Sequence, residues 1–500
     1  MKLLMVSALM FLVLACDRPT DSGERQDVVT VEVFRWDMEI ADDDEIAEFM
    51  EREFGLRIET EAPGWNEWNE RLMTRAASGA LPDVFVGYGP LDGPTYRQWI
   101  DEGLLLPLNE YLHNYPALAS YLDRFGRQQV DGRWYSVPVE NVTDHVMMLR
   151  ADWLDDLGMP VPETVAELVD VARTMADAYG VVPITSSAPQ TAGFFWLNAF
   201  FYAHGSRWDD WVSRDGEWIR SWIADESRET LRFMRSLYRE GLLDPDFLTN
   251  SDARKRELFT HGEAGIVFHN EVDLYMEDLS TRDPEGRVAI APPPAGQAGR
   301  GMWGVDGYFS SVMIRADLSQ EKREAFLSFL DYLHTDAGEE FFLLGVDDVH
   351  FARSGQQVEP LVDSLVDAAH HAKLRDLRAL EWKWIEPWAA YQAERSLAVE
   401  IGTEYSVPSR FENIVTDAGA DYEQQLRDIV YSAYAEMVTS DEPLDALWDR
   451  FRERYLASGG REVIDELNAH PEVTGESAGV PVRSAIEAAA AHVHAPEARE

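Results

Sequence analysis

Cysteine occurs once in the 500 residues, at position 16, so no intrachain disulfide can form. Lysine is almost as scarce: Lys2, Lys255, Lys322, Lys373 and Lys383 are all there is. Against 44 basic residues stand 91 acidic ones, a formal charge of −47. Such a chain lacks the basic face that a phosphate backbone requires, which excludes nucleic acid as a partner. It also argues against capture of an anionic solute by long-range attraction. The acidic excess reads as a solvated surface suited to a salty medium, where screening relieves self-repulsion; compositional drift in an arginine-rich lineage is the alternative. Beyond residue 16 no uninterrupted apolar run reaches the roughly 18 residues of a membrane-spanning helix.

Catalytic signatures are missing too. There is no Walker loop, no G-x-S-x-G, no H-E-x-x-H and no G-x-G-x-x-G. His370 and His371 are adjacent, which on a helix sends them to different sides rather than to one metal. Asp42, Asp43 and Asp44 lack the spaced acceptors and the glycine of a calcium loop, and read instead as a helix N-terminus. Carboxylates are so abundant that no glycosidase-like pair stands out. The sequence therefore predicts a non-enzyme with no metal or cofactor.

What is present is a long chain with 45% apolar residues and 16 tryptophans. Its length is too great for one hydrophobic core. Met1–Cys16 has a short basic start, an apolar run from Leu3 to Leu14, then Ala15 and Cys16, the pattern of a secretory signal. Leu12-Val13-Leu14-Ala15-Cys16 resembles the lipobox of bacterial lipoproteins, although Leu14 is larger than the residue that pattern prefers two places before the cysteine. A plain signal peptide or an uncleaved signal anchor is the other reading. With lipidation, Cys16 would anchor the chain outside the cytoplasm through its acyl groups, and Asp17–Asp27 would be a polar tether.

From Val28 the pattern alternates between strand and helix. Val28–Trp36 reads as a strand, Ala41–Phe54 as a helix stopped by Gly55, Leu56–Glu61 as a strand, Trp65–Ala77 as a helix and Val84–Val86 as a buried strand. That order predicts a doubly wound α/β sheet. Thr164–Glu167 fits a capping box ahead of a helix closed by Gly180. Further helices are expected over Arg228–Gly241, Arg254–His261, Gln320–Leu333, Glu359–Arg378, Asp421–Met437 and Leu444–Leu467, and strands over Gly265–His269 and Val288–Ala291. His470–Glu500 reads as a disordered tail rich in Ala, Pro and Glu.

Several stretches resemble the extracellular solute-binding proteins of family 1, the carbohydrate-importing type, and in particular its long lipoprotein subgroup. They are Ile46-Ala47-Glu48-Phe49, Ser78-Gly79-Ala80-Leu81-Pro82-Asp83-Val84, Gly103-Leu104-Leu105-Leu106-Pro107-Leu108, Asp131–Pro138, Arg150–Leu154 with Gly158, Pro162-Glu163-Thr164, and Leu237–Leu243. They run in family order to about residue 350; beyond it the likeness is helical pattern only. The resemblance implies a two-lobed periplasmic-binding-protein-like α/β fold of type II, here with extra C-terminal helices. It implies residues 28–137 plus 292–335 in one lobe and 138–291 plus 336–469 in the other. Crossing segments are expected near Tyr135–Asn141, Val288–Pro294 and Leu333–Gly345. The implied partners are a saccharide and the permease subunits of an ABC importer in the membrane, with the chain itself a monomer.

A sugar site needs rings for stacking and planar polar groups for paired hydrogen bonds, and in open α/β sheets ligands sit at strand ends. Those criteria select Trp36, Trp65, Tyr88, Glu140, Asn141, Trp196, Asn270, Trp303, Asp306 and Tyr308. Asn198 and Glu271 stand beside them, and the Gly299–Gly307 stretch lets backbone approach a ligand. Trp68 and Trp153 read as core, and Trp382, Trp384 and Trp388 read equally as core or site. Three other functions fit the same residues: a secreted glycoside-processing enzyme, a ligand-sensing subunit of a receptor, and a binder of peptide or lipid-derived solutes.

Overall fold

The computed structural model describes residues 28–35, 44–63, 65–88, 94–123, 129–140, 145–188, 194–304, 308–354, 357–361, 391–409, 411, 414 and 416–474. The strands are β1 (Val29–Phe34), β2 (Leu56–Glu61), β3 (Val84–Tyr88), β4 (Ser136–Glu140), β5 (Val146–Arg150), β6 (Trp211–Arg214), β7 (Glu217–Arg220), β8 (Ile266–His269), β9 (Val288–Ala291), β10 (Met302–Gly304), β11 (Tyr308–Ile314), β12 (Phe351–Ser354), β13 (Gln357–Pro360) and β14 (Ser406–Pro408).

The first unit is a five-stranded sheet in the order β2-β1-β3-β11-β4. β1 pairs with β2 and β3 in parallel, and β11 runs antiparallel to β3 and β4. Alternation in β1 decides which side each residue covers. Val31 and Val33 join Ile46, Met50, Phe326 and Leu330 in one cluster, while Phe34 joins Trp68, Leu72 and Phe85 in another. The helices Asp44–Phe54 and Trp65–Ala77 return the chain between parallel strands. The first ends where Gly55 turns to a φ of 60°.

The second unit is a three-stranded sheet, β8-β5-β9, with β5 antiparallel to both neighbours and buried along its whole length. The helix Val165–Tyr179 packs Leu168, Val171 and Met175 into its core. It starts with the expected capping box, Thr164 accepting from the Glu167 amide and Glu167 accepting from the Thr164 amide, and closes at Gly180 with φ 68°. The C-terminal helices Asp417–Thr439, Leu444–Tyr455 and Arg461–Ala469 belong to this same core, with Leu426, Tyr434, Trp448 and Tyr455 packed in one cluster with Met147 and Trp222.

Two polar devices hold that extension. The Arg235 guanidinium donates to the carbonyls of Met437 at 3.2 Å, Ser440 at 2.6 Å and Glu442 at 2.6 Å, satisfying acceptors left open at the end of the Asp417–Thr439 helix. Arg220, 8% exposed, bridges Asp209 at 3.0 Å and Glu423 at 2.8 Å, and lies 4.0 Å from the Trp222 ring centre. Arg427 completes the network by donating to Asp209 at 2.5 Å.

Several sequence expectations need adjusting. Leu444–Leu467 is two helices, because Gly459 at φ 104° breaks the run over Leu456–Gly460. The first residues of the expected Glu359–Arg378 helix are strand β13, paired with β12; the remainder lies outside the described residues. Val288–Ala291 is β9, inside the second sheet, and Leu333–Gly345 leads from one helix to the next within the first unit, where Leu333, Phe341 and Phe342 are core. The chain passes between the units after Glu140, again after Gly304, and a third time between Leu344 and Gln392, whose helix packs Ala398 and Ile401 against β5. Among the described residues no helix is long and apolar enough to cross a membrane.

Candidate ligand site at the crossing ends of the two sheets

The registers place the crossings that follow Glu140 and Gly304 at one edge of each sheet. In the first, Tyr308 pairs with Glu140 and Ser310 with Tyr88, so the end of β3, the end of β4 and the start of β11 share an edge. In the second, Val146 pairs with His269 and Met147 with Ala291, so the start of β5 shares an edge with the ends of β8 and β9. Strand ends of this kind are where open α/β sheets hold ligands.

On the second sheet's edge stands an aromatic floor. His145, the residue before β5, has its ring centre 5.8 Å from Phe195, 5.2 Å from Trp196 and 5.7 Å from Trp303. Asn198 ties down the backbone of two of those three residues. Its side-chain amide donates to the Phe195 carbonyl at 2.5 Å, and its Oδ1 accepts from the Trp303 amide at 2.8 Å. Trp303 is half-buried and sits on β10, which pairs with β14.

Behind Trp196 lies a buried ionic cluster. Ser251 caps the helix Asp252–Thr260 by accepting from the Arg254 amide, and the i,i+3 spacing turns Asp252 and Lys255 to one side. The Asp252 carboxylate accepts from Trp196 Nε1 at 3.1 Å and from Ser187 Oγ at 2.5 Å. It lies 3.1 Å from Lys255 Nζ and 3.6 Å from His269 Nε2. The Lys255 ammonium is fully buried and 4.1 Å from the Trp196 ring centre. The indole is thus held at its N–H and across its face.

Burial sets the charge states. It pulls His145 down to about 3, helped by the charges of His269 and Lys255, so that imidazole is neutral at neutral pH. It lowers His269 in the same sense, and brings Lys255 to about 7 against the opposing pull of Asp252. Burial works against ionised Asp252, but the His269 hydrogen bond and the Lys255 charge hold its carboxyl well below the usual range. No hydrogen-bond partner for His145 Nδ1 is found among the described residues.

The structure brings two of the predicted residues together, Trp196 and Trp303. Trp65 begins a helix, Tyr88 ends β3, Glu140 ends β4 and Tyr308 begins β11; their backbones stand at the first sheet's edge. Asn270 follows β8, its carbonyl accepting from the Val272 amide. Trp36, Asn141, Asp306 and Cys16 lie outside the described residues, as do Trp382, Trp384 and Trp388. Trp68 and Trp153 are core, as read. Sequence reasoning missed His145, Phe195, Asp252, Lys255 and His269. The only available signal was Lys255, one of five lysines, in a helix that reads as solvated. A separate recess of about 550 Å³, lined by Glu32, Glu61, Arg75, Asp83, Arg315 and Lys322, lies toward the opposite edge of the first sheet. Its Arg75 pairs with Glu32 and Glu61, and Asp83 with Arg315 and Lys322.

A family model described as bacterial extracellular solute-binding protein matches residues 32–340. The polygalacturonan/rhamnogalacturonan-binding protein YtcQ of Bacillus subtilis is 22% identical over 420 residues, 79% of this chain and 82% of that one. Among solved structures, the alginate-binding protein AlgQ2, determined without calcium ion, superposes with a TM-score of 0.69 at 19% identity, over 88% of this chain and 97% of its own. The S. pneumoniae ABC-transporter substrate-binding protein FusA in complex with kestose does so with a TM-score of 0.65 at 18% identity, over 88% and 100%. These likenesses are to two-lobed type II binding proteins, and the α/β architecture of this chain is of that type.

Proposed function

This chain belongs to the bacterial extracellular solute-binding proteins, and from that premise we propose that it holds a sugar or oligosaccharide between its two sheets and delivers it to an ABC importer. The single observation that carries the reading is the aromatic floor of Phe195, Trp196 and Trp303 around His145, set where the chain crosses between units. A pyranose offers an apolar face to such rings and hydroxyls to the groups beside them. Asp252, Asn270 and Glu271 supply polar groups from the second sheet; Trp65, Tyr88, Glu140 and Tyr308 stand at the facing edge, with Trp36, Asn141 and Asp306 in the connecting sequence. A relative named for binding polygalacturonan and rhamnogalacturonan, and structural neighbours that are an alginate-binding protein and a binding protein in complex with kestose, support a saccharide ligand. Closure of one unit on the other would convert binding into a shape the importer reads. Lipidation at Cys16 would keep the protein, as a monomer, on the outer side of the membrane.

The test is calorimetric titration of the purified protein with a broad oligosaccharide panel, beside a Trp303→Ala variant. Binding without turnover, weakened roughly tenfold or more by the substitution, is the expected result. Consumption of the sugar would favour a glycoside-processing enzyme. No binding across the panel by a folded protein would overturn the saccharide reading.

A further inference from the structure

We infer that the aromatic floor takes saccharide units that carry no carboxylate and turns uronate units away, a refinement that rests on the saccharide reading above. A site for an anionic sugar needs a cation with unmet charge at the surface where the ligand lies. The cations at this floor do not meet that condition. Lys255 is fully buried, with its ammonium 3.1 Å from the Asp252 carboxylate and on the face of Trp196. Its charge is matched from within the protein, and burial brings its pKa to about 7, so it carries less than a full charge under neutral conditions. His269 is 3% exposed and its pKa is lowered by burial. His145 is enclosed by three rings and stays neutral down to about pH 3. As a neutral imidazole it can give or accept one hydrogen bond, which suits a hydroxyl and does not balance a carboxylate.

Among the described residues beside the floor, two carboxylates do reach solvent. The carboxylates of Asp252 and Glu271 are each 41% exposed. A uronate brought onto the rings would meet the like charge of Asp252 and Glu271 and, among the described residues of the floor, no cation left to balance it, with a penalty that shrinks as salt screens it. A neutral sugar of the same shape avoids that penalty and finds acceptors for its hydroxyls, and an amino sugar gains from it.

The experiment compares matched ligands on the full chain. Methyl-esterified galacturonan trimers and their free acids differ only in charge. They are titrated calorimetrically at low and high salt, next to neutral xylo-, galacto- and fructo-oligosaccharides, chitosan oligosaccharides and alginate trimers. The inference expects every binder to come from the neutral and amino sets. It expects any ester that binds to do so at least about tenfold more tightly than its acid at low salt, with the gap narrowing at high salt and in a Glu271→Gln variant. A free uronate that binds as tightly as its ester, or any uronate that is the tightest ligand, overturns the inference and leaves the saccharide reading standing. A folded protein that binds nothing in either set overturns both.

Discussion

His145 gives the sharpest quantitative test. The residue is 8% exposed, and burial among Phe195, Trp196 and Trp303 takes its pKa from 6.5 to about 3. As pH falls below 6.5 the unfolded chain takes up a proton that the folded chain refuses. The unfolded state then binds more protons, so stability falls with pH in this window, and is fully present above it. Integrated between about pH 7.5 and about pH 5, the loss from this one residue is roughly 2 kcal/mol. The figure hardly changes if the folded value is 3 or 4, because at pH 5 the folded imidazole is neutral in either case. His145→Leu removes the titration and leaves the other acid-sensitive groups in place. Urea unfolding followed by tryptophan fluorescence, run on both proteins at the two pH values, should show the native protein losing about 2 kcal/mol more than the variant. The absolute stability of the variant does not matter, since only the difference between its two pH values is compared. Parallel losses would mean that the imidazole is protonated in the fold, and would refute the argument that the floor is dry and neutral.

Two other outcomes follow from residues away from the floor. Arg235→Met takes one guanidinium away from the carbonyls of Met437, Ser440 and Glu442, at and just past the end of the Asp417–Thr439 helix, and should lower unfolding free energy by about 2–4 kcal/mol, read as a shift of the urea midpoint. Cys16→Ser should abolish incorporation of labelled palmitate and release the protein from the membrane fraction into the soluble one; continued acylation would remove the proposed anchor.

Local signals made much of the fold legible. Trp65–Ala77, Gln320–Leu333 and the capped helix from Thr164 to Gly180 appear where period and caps put them, because each depends on neighbours within a few residues. The strand–helix order through Val84 gave the sheet type for the same reason. The floor was half legible. Tryptophans stand out one by one, so Trp196 and Trp303 could be selected, but what fixes Trp196 is Asp252, 56 positions away, together with Lys255 and His269. Asp252 and Lys255 sit among Arg254, Arg256 and Glu257 in a stretch whose composition says solvent. Only packing against β8 buries one side of it, and that contact has no local signature. The buried group of Asp209, Arg220, Glu423 and Arg427 escaped notice likewise, since acid–base pairs over 200 residues apart look like ordinary surface charge.

The C-terminal helices also set an order of events for a chain that must be made before it can fold. Among the described residues, the first sheet and its core draw on nothing beyond Val346. The second core draws on residues from Met147 to Leu467, so it cannot close until nearly all of the polypeptide has emerged. Half of the molecule can therefore settle early, as domains do during synthesis, while β5 and Trp222 wait with apolar surface uncovered for a partner more than 200 residues behind. Export across a membrane favours that schedule, since it keeps the larger core open until translocation is almost done. It also makes the stretch from Asp417 onward one whose loss would leave the core that carries Trp196 half built.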